Sequence, residues 1–347
     1  EAAIQSFVVK IGDANVEGKI DGNNISFIIP DGLENLTFAP TIVISDKATI
    51  TPASGVEQDF SSPVIYTVTS EDGIVTTKYT VSVSGQIRDF GFDEWETIKS
   101  STSGSTEQYD VPKGLYGTSN PGIMTINEMF GSNLPELFSY TVSPVEGQSG
   151  KAAKLQTVYT YMFLNGMDFN ALLGGLVPYV TAGSLFTGIF KTDMNNTLNS
   201  TKFGVPFVGE PATFTGYYKY TPGTTYYNNK NEVVADKTDE CSIYAVLYEE
   251  LLDEENNNIP LNGDYNDPDL YIGSSKRIVM KAVLEDGTAK SDWTKFSIPF
   301  KLLEGKSYDA TKKYYLAIVC SSSAEGDYFM GAPGSTLFID SFTVTPQ

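Results

Sequence analysis

The sequence predicts an all-β protein built as two sandwiches, a small one followed by a larger one. Three observations carry that expectation. Tyr (21) and Phe (20) are abundant beside Thr and Val, and Gly (31) and Pro (17) cut the chain into short runs. No segment sustains the apolar period of a long helix, so helices should be few and short.

The first 84 residues contain the alternating runs "IQSFVVKI", "ISFIIP", "TIVIS" and "VIYTVTS", divided by "DGNN", "PDGL" and "PASG". A strand about every ten residues is the rhythm of a small sandwich. The stretch "VIYTVTSEDGIVTTKYTVSVS" reads as a hairpin. Glu71-Asp72-Gly73 forms its turn, with Gly73 free to take positive φ, and Ile65, Val68, Tyr79, Val81 and Val83 supply strand-forming side chains. No Cys-Trp-Cys pin is present.

From "SGQIRDFGFDEWE" onward aromatics become denser and strands longer, which places the boundary at Ser84 to Gln86. Residues 87–347 suit one large sandwich or jelly roll. Its strands include "PATFTGYYKYTPG", "CSIYAVLYEE", "DWTKFSIPF", "KKYYLAIVCSSS" and "STLFIDSFTV". Alternation leaves open which face of the tyrosine-bearing strands is core; one must be buried and the other is free to line a groove. The stretch 159–179, "YTYMFLNGMDFNALLGGLVPY", is apolar yet full of turn residues. It is expected to pack over one end of the sandwich, either walling a groove or forming a satellite cluster. The acidic, Asn-rich stretch 251–271 fails the EF-hand spacing and reads as a solvated insertion.

Composition removes whole classes of chemistry. With no His, there is no Ser-His-Asp or Cys-His triad and no His-ligated metal. Only Arg88 and Arg277 carry guanidinium groups, which argues against clustered Arg recognition of phosphate. A net charge of −20 opposes nucleic acid and anionic membrane surfaces. Cys241 and Cys320 both sit in apolar, strand-like runs and are expected as buried free thiols in facing or neighbouring strands, with one disulfide as the alternative. Because the numbering starts at Glu1, a targeting segment or lipid anchor removed upstream is an open expectation. The most apolar stretch is broken by Asn165, Asp168, Asn170, Gly174-Gly175 and Pro178 and is no membrane span.

Two resemblances sharpen this reading. "ATITPASGVEQDFSSPVIYTVTSEDG" followed by "KYTVSV" resembles the immunoglobulin-like modules at the N-terminus of surface lipoproteins of gut Gram-negative bacteria, implying a spacer. "GFDEWE", "GTSNPG", "LFTGIFK", "FGVPFVGEPATFTGYYKYTPG", "CSIYAVLYEE", "WTKFSIPF" and "YYLAIVCSSSAEGDYFMGAPGSTLFID" follow in order over residues 90–340. Together they resemble the "putative carbohydrate metabolism domain" family. That resemblance implies a jelly roll similar to carbohydrate-binding modules, exported to the periplasm or outer-membrane surface among glycan-uptake proteins. The sequence departs from the family pattern at Leu115-Tyr116 and Met330.

A sugar offers an apolar C–H face and an edge of hydroxyls, so its site needs aromatic rings beside carboxylates or amides. The candidate aromatics are Trp95, Tyr116, Tyr217, Tyr218 and Tyr328. The candidate polar partners are Asp93, Glu94, Asn120, Lys219, Glu249 and Asp327. No other cofactor is expected than a structural calcium. Jelly rolls of this kind imply such an ion between first- and last-strand oxygens, bringing Asp89 or Asp93 to Asp340; the alternative is an Asp340 that faces solvent. Carbohydrate binding without catalysis is the leading function. The alternative is a glycoside hydrolase drawing a carboxylate pair from Glu249, Asp327, Asp93 and Glu94, spaced about 5–5.5 Å or about 6.5–9.5 Å apart. No E-x-D-x-x-E strand motif supports it. A structural or adhesive surface protein is the third reading.

Overall fold

The computed structural model describes residues 1–347 except 31, 32, 34, 61, 62 and 87. Two units emerge from the chain: Glu1–Asp89 with Val208–Ala212 and Val344–Gln347, and Phe90–Phe207 with Thr213–Thr343. The change of unit at Asp89 falls a few residues after the change of composition. Two short later segments of the chain also belong to the first unit.

In the first unit, β1 (Ile4–Ile11), β2 (Asn24–Ile29), β3 (Thr41–Ile44), β4 (Val64–Thr69) and β5 (Thr76–Gln86) are the principal strands. β1 pairs with β3 in one sheet, and β5 lies between β2 and β4 in the other. The expected hairpin joins β4 to β5, with Tyr66 opposite Tyr79 and Val68 opposite Thr77. Gly73 has φ 72°, and Asp72 Oδ1 accepts bonds from Ser70 Oγ at 2.6 Å and the Ile74 amide at 3.0 Å. Alternate side chains turn inward, where Phe7 meets Phe60 and Tyr66 edge-on at 6.3 and 5.8 Å. Quadrupole-favoured packing of this kind gives a small sandwich a dense aromatic core.

The second unit contains β6 (Tyr116–Thr118), α1 (Asn120–Phe130), β7 (Val142–Glu146), β8 (Lys151–Gln156), β9 (Ser184–Phe190) and, from Thr213 on, β10 (Pro211–Thr221). These are followed by β11 (Ser242–Glu249), β12 (Ile278–Val283), β13 (Lys290–Pro299), β14 (Tyr314–Ser321) and, as far as Thr343, β15 (Thr336–Pro346). One sheet runs β7-β8-β15-β10-β13 and the other contains β6-β9-β14-β11-β12. The pairings described in both are antiparallel, as in a jelly-roll sandwich. Phe214, Phe296 and Phe342 line the inner face of the first sheet, with centroids 5.0 to 5.6 Å apart. A Cβ on Gly216 would come within 2.3 Å of the Phe342 ring, so the break in β10's aromatic alternation is the space that ring fills. The inward side chains of the second sheet, including Ile243, Leu247, Leu316 and Ile318, are fully buried.

α1 is the element the sequence reading passed over. Its first turn carries Pro121, whose missing N–H costs nothing there, and Ile123 and Ile126 supply an apolar stripe. Asn120 is wholly buried and ties the helix down. Its Nδ2 donates to the Val142 and Asp110 carbonyls at 2.8 and 3.2 Å. Its Oδ1 accepts from the Val142 amide at 2.9 Å and Thr141 Oγ1 at 3.0 Å. Asn120 is therefore a helix anchor, not a ligand contact. The 159–179 stretch packs beneath α1, where Met162 and Val177 join Ile126 in a separate apolar cluster.

Cys241 and Cys320 are free and buried, just before β11 and within its neighbour β14. Burial pushes the Cys241 thiol up to about 12 and the Cys320 thiol well above its usual value. Neither should react with a maleimide in the native protein, and two should react after unfolding, as counted by mass. Asn120→Ala leaves the Val142 amide and two carbonyls without partners and should cost about 3 kcal/mol of stability in chemical denaturation.

Candidate functional site

The outer face of the second sheet is also covered. Side chains that point away from the sandwich interior, Ser184 and Phe186 on β9, Ser242 and Tyr244 on β11, Val319 and Ser321 on β14, form the floor of a cavity of about 270 Å³. α1 supplies Ile126 and Met129 to its wall, and the end of the 159–179 stretch supplies Leu176, Val177 and Pro178. The stretch therefore packs as a satellite cluster and also lines this cavity.

The polar groups converge at one side. Asp327, on the turn Gly326–Tyr328, lines the cavity, and Tyr271 donates its hydroxyl to Asp327 Oδ2 at 2.5 Å. Asp327 is exposed by its surface area, yet the protein packed around it pushes its carboxyl above the ordinary value. Burial, with Asp327 beside them, raises the Tyr271 and Tyr244 phenols. The Tyr244 hydroxyl has no hydrogen-bond partner among the described residues. Thr201 Oγ1, also in the wall, is buried without one. Next to the carboxylate, Tyr265 stacks on Tyr328 at 5.1 Å and meets Tyr271 edge-on at 6.5 Å, and both Tyr265 and Tyr328 are exposed.

The loop is held from behind. Asp239 is buried, and its Oδ2 accepts from Ser323 Oγ at 2.6 Å, the Ala332 amide at 2.8 Å and Ser335 Oγ at 2.8 Å. One carboxylate thus fixes both ends of the segment that presents Asp327.

The other sequence-derived candidates lie elsewhere. Tyr218 is core, donating to the Asp286 carbonyl at 2.9 Å. Tyr217 and Lys219 point out from the first sheet, on the far side of the sandwich. Glu249 lies five residues along β11 from Tyr244, roughly 17 Å, and is paired with Lys312 at 2.8 Å. Asp93, Glu94, Trp95 and Tyr116 gather at another corner. There Glu94 pairs with Lys113, Trp95 Nε1 donates to the Phe92 carbonyl at 2.6 Å, and the Tyr116 hydroxyl donates to the Gly91 carbonyl at 3.2 Å. Of all the candidates only Asp327 lines the cavity, with Tyr328 beside it. Tyr244, Tyr265 and Tyr271 were missed, the last two because they sit in a stretch that reads as solvated.

Asp340 is buried, not solvent-facing. Its Oδ2 accepts the Gln148 and Ser149 amides at 2.8 and 3.1 Å, while Asp93 Oδ1 accepts the Lys151 amide at 2.9 Å. Both carboxylates grip the turn between β7 and β8. What meets them is a set of donors, three backbone N–H groups and the Ser341 hydroxyl, which donates to Asp340 Oδ1 at 3.1 Å, where a calcium ion would need acceptor oxygens. Among the described residues no cluster of three or more Asp, Glu or Cys could hold a metal.

Fold and site together define a two-sandwich β protein whose larger unit carries a mostly apolar, partly aromatic cavity with several hydroxyls and one carboxylate. Residues 91–345 match the family described as "putative carbohydrate metabolism domain", and the chain belongs to that family. Residues 4–83 match the domain described as "SGBP, N-terminal". A solved structure from Bacteroides thetaiotaomicron, described as a putative glycoside hydrolase, is 31% identical, with a TM-score of 0.59 over 100% of this chain and 97% of that one. Another so described, from Bacteroides vulgatus, is 27% identical, with a TM-score of 0.54 over 73% of this chain and 96% of that one. No curated protein sequence matches the chain.

A carboxyl with a raised pKa in the fold holds its proton more tightly there than in the unfolded chain. Its contribution to stability is therefore full at low pH and falls as pH rises above the unfolded value of 3.8. Asp327→Asn should raise the melting temperature at neutral pH, and that gain should vanish as the pH approaches about 3, in a thermal series across pH.

Proposed function

We propose that this protein binds carbohydrate through the cavity of its second unit and does so without cleaving it. The observation that carries this reading is the convergence of Asp327, Tyr271 and the partnerless Tyr244 hydroxyl on one otherwise mostly apolar cavity beside the exposed Tyr265–Tyr328 stack. Two rings offer a surface for the C–H face of a sugar, and the carboxylate and phenols can take its hydroxyl edge.

Hydrolysis of a glycosidic bond by the usual route needs two carboxylates. Asp327 is the only Asp or Glu among the described residues lining the cavity, and Glu249 is remote and ion-paired. The relatives described as glycoside hydrolases and the raised Asp327 carboxyl are what favours a catalytic reading, and one experiment separates the two. The family and the N-terminal match support a place at the cell surface or in the periplasm, beside other glycan-uptake proteins. No helix among the described residues is long and apolar enough to cross a membrane.

On a glycan panel the protein should retain one class of oligosaccharide. Tyr244→Phe and Asp327→Asn should each weaken that binding about tenfold. The same glycans should be recovered intact. Release of shorter sugars by the wild type but not by Asp327→Asn would transfer the protein to the hydrolases.

A further inference from the structure

The opposite side of the second unit carries a feature that the cavity does not explain. On β10, Tyr218 and Tyr220 are buried inward, which turns Tyr217 and Lys219 outward. Lys219 Nζ lies 4.8 Å from the ring centroids of Trp293 on β13 and Phe338 on β15. Lys154 stands opposite Phe338 across β8–β15, and Lys295 stands opposite Tyr217 across β10–β13. Three lysines thus share one sheet face with two half-buried rings.

These lysines are not neutralised. Among the described residues, Lys219 interacts only with the two rings, Lys154 only with the Gln156 side chain at 3.0 Å, and Lys295 has no ion pair. In a chain with 43 acidic residues against 23 basic ones, cations left without carboxylates are a local reversal of charge. Holding Lys219 between rings keeps a cation in place without cancelling it.

We infer that this sheet face is a second glycan-binding surface, and that its ligand is an anionic polysaccharide bearing uronate or sulfate groups. Trp293 and Phe338 supply apolar surface for sugar C–H faces, and Lys154, Lys219 and Lys295 supply the charges that meet acidic substituents. The net charge of −20 does not prevent this. At physiological salt, charges more than about 8 Å away are largely screened, so the nearby lysines dominate at contact.

The test is retention of the whole protein on immobilised polygalacturonate, with fully methyl-esterified polygalacturonate as the uncharged control. At about 0.15 M salt the wild type should be retained on the acid form only, and about 1 M salt should release it. Lys154→Gln/Lys219→Gln should bind about tenfold more weakly. Lys154→Gln/Lys295→Gln, which disturbs neither ring, should weaken it comparably if the first variant folds poorly. In a Trp95→Phe background, titration with oligogalacturonate should change Trp293 fluorescence. Asp327→Asn should leave all of this untouched, which separates this surface from the cavity. No retention of the wild type, equal retention on the esterified polymer, or unchanged retention of both lysine variants would overturn the inference.

Discussion

Everything in the second unit follows from one sheet that must be covered on both faces. β11 and β14 read "SIYAVLYE" and "YYLAIVCS", apolar at odd and even positions alike. Such strands cannot leave either face in water. One face closes the sandwich; the other draws α1, the 159–179 stretch and the 251–272 segment over itself. Helix and loops cannot tile a sheet as closely as another sheet does, and the space they leave is the cavity. The site is a by-product of covering, furnished with polar groups where the covering loops end.

That origin explains what the sequence discloses and what it hides. β10 alternates cleanly because only one of its faces is buried, and Gly216 marks the point where Phe342 intrudes. β11 alternates too, but with apolar residues on both sides, so nothing local reveals that Tyr244 faces a cavity. Asp327 and Tyr328 are legible since a carboxylate and an aromatic in a Gly-rich loop have little structural work to do. Tyr271 is hidden because its neighbours are Asn and Asp, whose side chains turn back onto the backbone and mimic a solvated loop. α1 announces itself only through Ser119-Asn120-Pro121, a helix start too short to outweigh the surrounding strand signals.

Buried carboxylates here work as fasteners. Asp239 and Asp340 each accept several N–H or O–H donors and hold a loop or turn in one position. Read from sequence, an acid in an apolar strand suggests a ligand or a metal. In the fold, backbone amides meet the same need for compensation, and they lie too close in space and too far in sequence for any motif to show them.

The two sealed thiols bear on where the protein can fold. A chain whose stability rests on aromatic packing and hydrogen-bonded turns, with no covalent cross-link between its cysteines, needs no oxidant to finish folding. It can assemble in any compartment without disulfide-forming enzymes. Bacterial cytoplasm, reducing as it is, should serve as well as an oxidising compartment for making it.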